Sequence, residues 1–130
     1  MGNISRNFRF EEFTSHEGVP VPDKYKANVK RLVNEVLHPL RDGLGKSITI
    51  TSGYRHPAYN RRIGGAKYSQ HMTALAADIK IEGVTRVKAN WLVWGFMIAR
   101  GKGGGVGWYK KSPVHVDVRA TKKVVLWDRT

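Results

Sequence analysis

Ser69-Gln-His-Met-Thr-Ala-Leu-Ala-Ala-Asp-Ile-Lys-Ile81 is the stretch on which the fold turns. A strand over about residues 75 to 81 sets Ala77, Ile79 and Ile81 on one face and Ala76, Asp78 and Lys80 on the other. The first face belongs to a core, so Asp78 points away from it, and His71 lies just before the strand. The same alternation recurs in Val114-His-Val-Asp-Val118, where the valines share one face and His115, Asp117 and Arg119 the other. Adjacent antiparallel strands bring such side chains close together, so His71, Asp78 and His115 can converge.

Outward from these strands, Ser47-Ile-Thr-Ile-Thr51 alternates with β-branched residues and predicts a half-buried strand that Gly53 ends. Shorter strands are expected near Val106 to Tyr109 and Lys123 to Trp127. A helix over about residues 24 to 42 has Val29, Leu32, Val33, Val36, Leu37 and Leu40 on one stripe. Asp23 is its N-cap candidate, Pro39 should kink it, and Gly43 or Gly45 should stop it. A second helix runs from Thr85 as N-cap to about Arg100, with Val87, Trp91, Trp94 and Ile98 as its apolar stripe. Phe8, Phe10 and Phe13 form a lead-in that packs aromatics onto the body. Tyr54 to Gly65 reads as a turn with a short helical piece, which places Arg55 just past a strand end. Gly101 to Gly105 reads as a flexible connection at a cleft edge. The expected class is α+β: a small, mainly antiparallel sheet packed with helices in a single domain, residues 1–130.

Composition limits the chemistry. The 130 residues include no cysteine, so disulfides and thiolate metal sites are excluded and any metal must be held by His, Asp or Glu. Lys and Arg number 23 against 10 acids, a formal charge of +13, which attracts polyanions without naming one. Nucleic acid, wall polymers and anionic lipids offer the same field. The amino-terminal stretch has no apolar run of the secretory type, and Trp91 to Ala99 is too short to span a bilayer. A soluble protein without a signal peptide and without a membrane span is expected. Gly45-Lys46-Ser47 lacks the earlier glycine of a phosphate-binding loop, and the glycine run lacks a dinucleotide-binding pattern.

Two imidazoles and a carboxylate suit Zn2+ in tetrahedral geometry with a position left for water, whereas magnesium and calcium favour more oxygens. His16, His38 and His56 read as surface or hydrogen-bonded residues. The four tryptophans read mostly as core; Trp108 is the candidate for substrate stacking.

Ser52-Gly-Tyr-Arg-His-Pro57, Gly64-Gly65, Ser69-Gln-His71 with Ala76 and Asp78, and Val114-His-Val-Asp-Val118 together resemble the M15 family of zinc D-Ala-D-Ala carboxypeptidases and related wall peptidases. The likeness extends to Asn7-Phe-Arg-Phe-Glu-Glu-Phe13 and Val36-Leu-His-Pro-Leu-Arg41, and covers about residues 7 to 119. It implies helices on a small antiparallel sheet, zinc held by His71, Asp78 and His115, and substrates drawn from peptidoglycan stem peptides. Arg55 corresponds to an arginine that holds a substrate carboxylate or the polarised carbonyl oxygen, and Ser69 to a position near bound substrate. Short members are often bacteriophage lytic enzymes, so the resemblance implies a protein made in the bacterial cytoplasm that acts on the wall, the positive charge meeting anionic envelope polymers; a monomer is expected.

Two positions depart from the family pattern. Ala74 stands where a glycine is common, which matters if that residue needs positive φ. Ser112 stands where several members carry the general base. Asp117 is the nearest carboxylate, and it is expected as that base or, preferentially, as the group that orients His115. Two other functions remain to be separated from this one. A nucleic-acid-binding module explains the charge but not the histidine motifs, and a metal-bearing phage structural protein explains the missing acid.

Overall fold

The computed structural model describes residues 3–130; Met1 and Gly2, part of the expected domain, lie outside them. The chain opens with a small hairpin, β1 (Asn3–Ser5) and β2 (Phe8–Arg9), followed by a 3-10 turn over Phe10–Phe13. Phe8 and Phe13 are fully buried, as the aromatic lead-in predicts, while Phe10 packs at the edge of the core.

The first helix forms where the apolar stripe places it, but Pro39 changes its winding. α1 (Lys26–Leu32) passes into a π-helical turn, Val33–Leu37, and then α2 (His38–Leu44). A proline ring clashes with the carbonyl four residues back and has no N–H to donate there, so the helix widens ahead of it. The N–H of His38 accordingly donates to Val33 O, five residues back. The run stops at Gly45, whose φ of 63° is the left-handed cap that glycine adopts freely. Asp23 does not cap the helix; it sits inside a preceding 3-10 turn and pairs with Lys26 at 3.1 Å.

The body of the domain is a five-stranded sheet of order β3-β4-β6-β5-β7. Its strands are β3 (Ile48–Ser52), β4 (Ala76–Ile81), β5 (Gly104–Tyr109), β6 (Val114–Asp117) and β7 (Val124–Arg129). All neighbours are antiparallel except β5 and β7, which run parallel. The fold is therefore α+β with a mainly antiparallel sheet. One sheet face is apolar: Ile79, Ile81, Val106, Val114 and Val116 join Leu32, Val36 and Leu37 of the helical run in one cluster. The other face carries Asp78, His115 and Asp117. The short α3 (Pro57–Arg62) fills the connection after β3, its N-terminus capped by His56 Nδ1 on the Ala58 N–H.

α4 (Arg86–Arg100) is capped by Thr85, whose hydroxyl accepts from the Lys88 N–H at 3.2 Å. Its buried face departs from the expected stripe, of which Trp94 packs against the core. Ala89, Asn90, Val93 and Met97 enter the core, whereas Val87, Trp91 and Ile98 are exposed. This helix is apolar nearly all round, so periodicity cannot single out the inward side. The glycine run also differs from expectation: Gly104 and Gly105 are buried residues of β5 rather than a flexible connection.

Ala74 takes φ 60° and ψ 28°, and is the only non-glycine residue with positive φ among those described. The position ends the turn that carries His71, two residues before β4, so the departure noted in the sequence falls where glycine would relieve strain of roughly 1–2 kcal/mol. Its methyl group is buried. Ala74→Gly should therefore shift unfolding free energy by less than about 1 kcal/mol, relief offsetting the lost methyl. Ala74→Val, β-branched in the left-handed region, should cost more than about 2 kcal/mol in urea unfolding.

Candidate metal centre

Three elements deliver the candidate ligands. In the antiparallel ladder of β4 with β6, Asp78 lies directly opposite His115, both on the polar face that the two alternation patterns predict. His71 comes from a 3-10 turn, Gln70–Thr73, which Ser69 starts by accepting the His71 N–H on its hydroxyl at 3.2 Å. That turn is tied to the rest of the domain by Asn28 Nδ2, which donates to Thr73 O at 2.9 Å, and by the Arg55 N–H, which donates to His71 O at 3.0 Å.

The side chains meet closely. Asp78 Oδ1 lies 3.2 Å from His71 Nε2 and 3.1 Å from His115 Nδ1, and the two ring nitrogens are 3.2 Å apart. Each ring uses its other nitrogen elsewhere. His71 Nδ1 is 2.7 Å from Gly53 O, a group that only accepts, so the proton resides on Nδ1 and Nε2 presents a lone pair. His115 Nε2 is 2.7 Å from Asp117 Oδ2, which assigns its proton in the same way and leaves Nδ1 bare. Two nitrogen lone pairs and a carboxylate oxygen thus face one another with no hydrogen to share. Such a set calls for a cation, and two imidazoles with one carboxylate are donors that fit zinc. Among the described residues, His71, Asp78 and His115 form the group able to hold a metal, their ligand atoms all lying within 4.8 Å of one another.

The surroundings act on the two imidazoles in opposite directions. Burial lowers the pKa of His71, assisted by His115 and Arg55, and Asp78 recovers only part of the shift. Burial also pulls His115 down, but its hydrogen bonds to Asp117 and Asp78 outweigh that and hold it above the ordinary imidazole value. Burial would raise both Asp78 and Asp117; the histidines around Asp78, and Arg119 with His115 around Asp117, instead hold them well below the usual carboxylate range. Both acids are therefore anionic across the neutral range.

Asp117 lies behind His115, away from the other two ligands. It is 0% exposed, and its oxygens accept from His115 Nε2, from Arg119 Nε at 2.8 Å, from the Arg119 N–H at 3.1 Å and from Arg119 NH2 at 2.7 Å. This is the geometry of a group that orients a ligand, and it leaves no oxygen for a general base. Gly105 makes room for it, since a Cβ there would stand 2.6 Å from Asp117 Oδ2.

A cleft of about 710 Å³ opens over the three ligands. Arg55 lines it as expected, with NH2 3.5 Å from Asp78 Oδ2 and NH1 3.4 Å from Asn60 Oδ1. Its Nε is buried without a partner. Ser69 both caps its turn and lines the cleft, and Ser112 is in the wall as well. Trp108 is elsewhere: it points to the apolar face of β5 and packs on Trp91 with ring centroids 4.7 Å apart. The indole at the cleft is Trp127 of β7, 5.1 Å from the His115 ring, its Nε1–H donating to Tyr109 Oη at 2.6 Å. Alternation along β7 was legible, but the parallel pairing that sets Trp127 beside Gly107 was not. Lys67, Arg119 and Arg129 also line the cleft, while Asp78 is its sole carboxylate among the described residues.

A histidine-aspartate-histidine group on the polar face of an α+β sheet, beside an arginine-bearing cleft, is an arrangement able to hold a divalent metal within reach of a bound ligand. Residues 6–117 match the family profile described as Peptidase M15, which is most of the chain, and the protein belongs to that peptidase family. No curated protein matches the chain. Trp127 and Arg129 lie beyond the matched region.

Asp117→Asn should weaken zinc affinity about 10- to 100-fold at neutral pH, read by calorimetry, because the ring it orients exchanges a charged acceptor for a neutral one. In the parent, protons compete for His115 from above the ordinary imidazole range, so affinity should fall as pH drops through it. Removing the Asp117 charge should move that onset to lower pH.

Proposed function

We propose that the protein is a zinc-dependent peptidase that hydrolyses peptide bonds in bacterial peptidoglycan, in stem peptides or cross-links. The observation that carries this reading is the convergence of two bare imidazole nitrogens and one carboxylate oxygen beside Arg55. His71, Asp78 and His115 would hold the zinc ion, which when bound supplies Lewis-acid polarisation of an amide carbonyl and acidifies water.

The chain's own residues then divide the remaining tasks. Gly53 O and Asp117 fix the two ring planes and tautomers. Arg55, with fixed charge and forked donors, aligns a substrate carboxylate or the scissile carbonyl oxygen. Stem peptides bear free carboxylates, and a cleft lined by Arg55, Lys67, Arg119 and Arg129 against one acid favours them. Lysis of a host wall by a phage enzyme, with the chain acting as a monomer on the wall from the cytoplasm where it is made, is the setting that suits a net charge of +13.

One observation favours a second reading, a metal-bearing protein without catalysis: no carboxylate of the described cleft residues is free for proton transfer. Digestion of purified peptidoglycan, with fragments identified by mass, separates the two. Peptide release that a chelator abolishes and zinc restores is the expected result; about one zinc per chain with no release would establish the second reading. His71→Ala should lose both zinc and activity, and normal wall hydrolysis by that variant would refute the peptidase assignment. Arg55→Lys should keep zinc stoichiometry and lower kcat/KM by about 10- to 1000-fold. Added salt should slow wall digestion while leaving cleavage of a small neutral peptide nearly constant.

A further inference from the structure

α4 has no charged residue on its outward side except Lys88. Val87 is 55% exposed, Trp91 59% and Ile98 50%, and at helical spacing the three form one stripe across solvent. Gly95 and Ala99 continue the uncharged surface beside it. A helix that is apolar on both sides is normally covered on both, yet only the Ala89, Val93 and Met97 side is covered by this chain.

The surroundings indicate what covers the other side. From Gly83 to Val116 there is no acid, while Arg86, Lys88, Arg100, Lys102, Lys110 and Lys111 are all cations. Arg86 donates to Tyr109 O, which brings the turn bearing Lys110 and Lys111 to the start of the helix. Lys102 stands just past its end, where Arg100 is turned inward, 10% exposed and paired with Glu35. Cations thus bracket an apolar stripe that includes a tryptophan. The acids around the helix are Glu82, just ahead of it, Glu35, which is paired with Arg31 and Arg100, and Asp128, which lies opposite Trp108 in the ladder of β5 with β7. A second copy of the chain would bring an equal positive charge to the same face, whereas an anionic bilayer supplies both the apolar boundary and the opposite charge.

We infer that the outward face of α4 is a docking surface for anionic phospholipid membranes, with Val87, Trp91 and Ile98 entering the headgroup boundary and the flanking cations meeting lipid phosphates. The helix lies along the surface and does not cross it; no helix among the described residues is long and apolar enough to span a bilayer. This goes beyond the peptidase reading and is independent of metal binding.

The test is co-sedimentation with vesicles of phosphatidylglycerol and phosphatidylethanolamine, against vesicles of phosphatidylcholine alone. The chain should pellet with the anionic vesicles, less so as salt is raised, and weakly with the neutral ones. The double variant Val87→Gln/Ile98→Gln changes side chains that are half exposed, so its urea midpoint and zinc stoichiometry should match the parent. Its partitioning onto anionic vesicles should fall about tenfold. Equal binding by parent and variant would reduce the interaction to charge and overturn the docking surface, as would a parent that ignores anionic vesicles. A dimer in sedimentation equilibrium that the double variant dissolves, without vesicle binding, would assign the face to a second copy instead. None of these outcomes alters peptide release, so the failure of this inference and that of the peptidase reading are distinguishable.

Discussion

The site depends on one constraint: Asp78 Oδ1 is held 3.1 and 3.2 Å from two buried imidazole nitrogens. Burying two rings and an anion costs several kcal/mol unless each polar atom finds a partner. The fold meets that requirement from outside inward. A strand-end carbonyl, Gly53 O, takes one ring proton, and the Asp117–Arg119 pair takes the other, so both rings are fixed before any ligand arrives. What these two rings leave without a partner faces the point where a metal could be held. The strand register serves this end: placing Asp78 opposite His115 makes the ladder of β4 and β6 hold two of the three ligands.

Glycine supports the centre by leaving space rather than by turning the chain. A Cβ on Gly53 would stand 2.7 Å from Phe13 Cα, so the carbonyl that orients His71 reaches it only because the backbone there can lie against the buried aromatic lead-in. On β5, Gly105 and Gly107 clear room for the Asp117 carboxylate and the Trp127 indole. A single strand thereby admits a charged pair and a large ring on its polar face, while Val106 and Trp108 alternate onto the apolar face. Gly104 and Gly105, in the run that reads as loose glycine-rich chain, are thus buried residues of a strand packed behind the site.

How much of this could be read beforehand follows from the range of each signal. Strand alternation is local, and it sufficed to set Asp78 and His115 on polar faces; the motif spacing then marked His71, and the M15 resemblance named the set. Asp117 was readable as an orienting group because it shares a strand face with His115, but its burial under Arg119 was not. Two failures have one cause. The inward side of α4 cannot be found from periodicity when Val87, Trp91 and Ile98 are as apolar as Val93 and Met97. Trp127 cannot be placed from its own strand, because the parallel pairing of β7 with β5 is decided by contacts distant in sequence. Pro39 was seen as a disturbance, yet whether a proline kinks a helix or opens a π turn depends on the packing around it.

The sheet separates the two surfaces of the molecule. Trp108, Val106 and Met97 bind α4 to the apolar face, whereas Arg55, Tyr109 and Trp127 stand around the ligands on the opposite one. An object covering the outer side of α4 therefore lies across the sheet from the cleft and does not obstruct it. The positive charge is also divided: part of it surrounds the cleft, where Arg55, Lys67 and Arg129 face whatever enters, and part brackets the helix. A protein whose task was only to bind a polyanion would need neither the division nor a buried triad with its ring protons assigned. The arrangement makes sense if one face holds the molecule near an anionic surface while the other works on a substrate in reach of it.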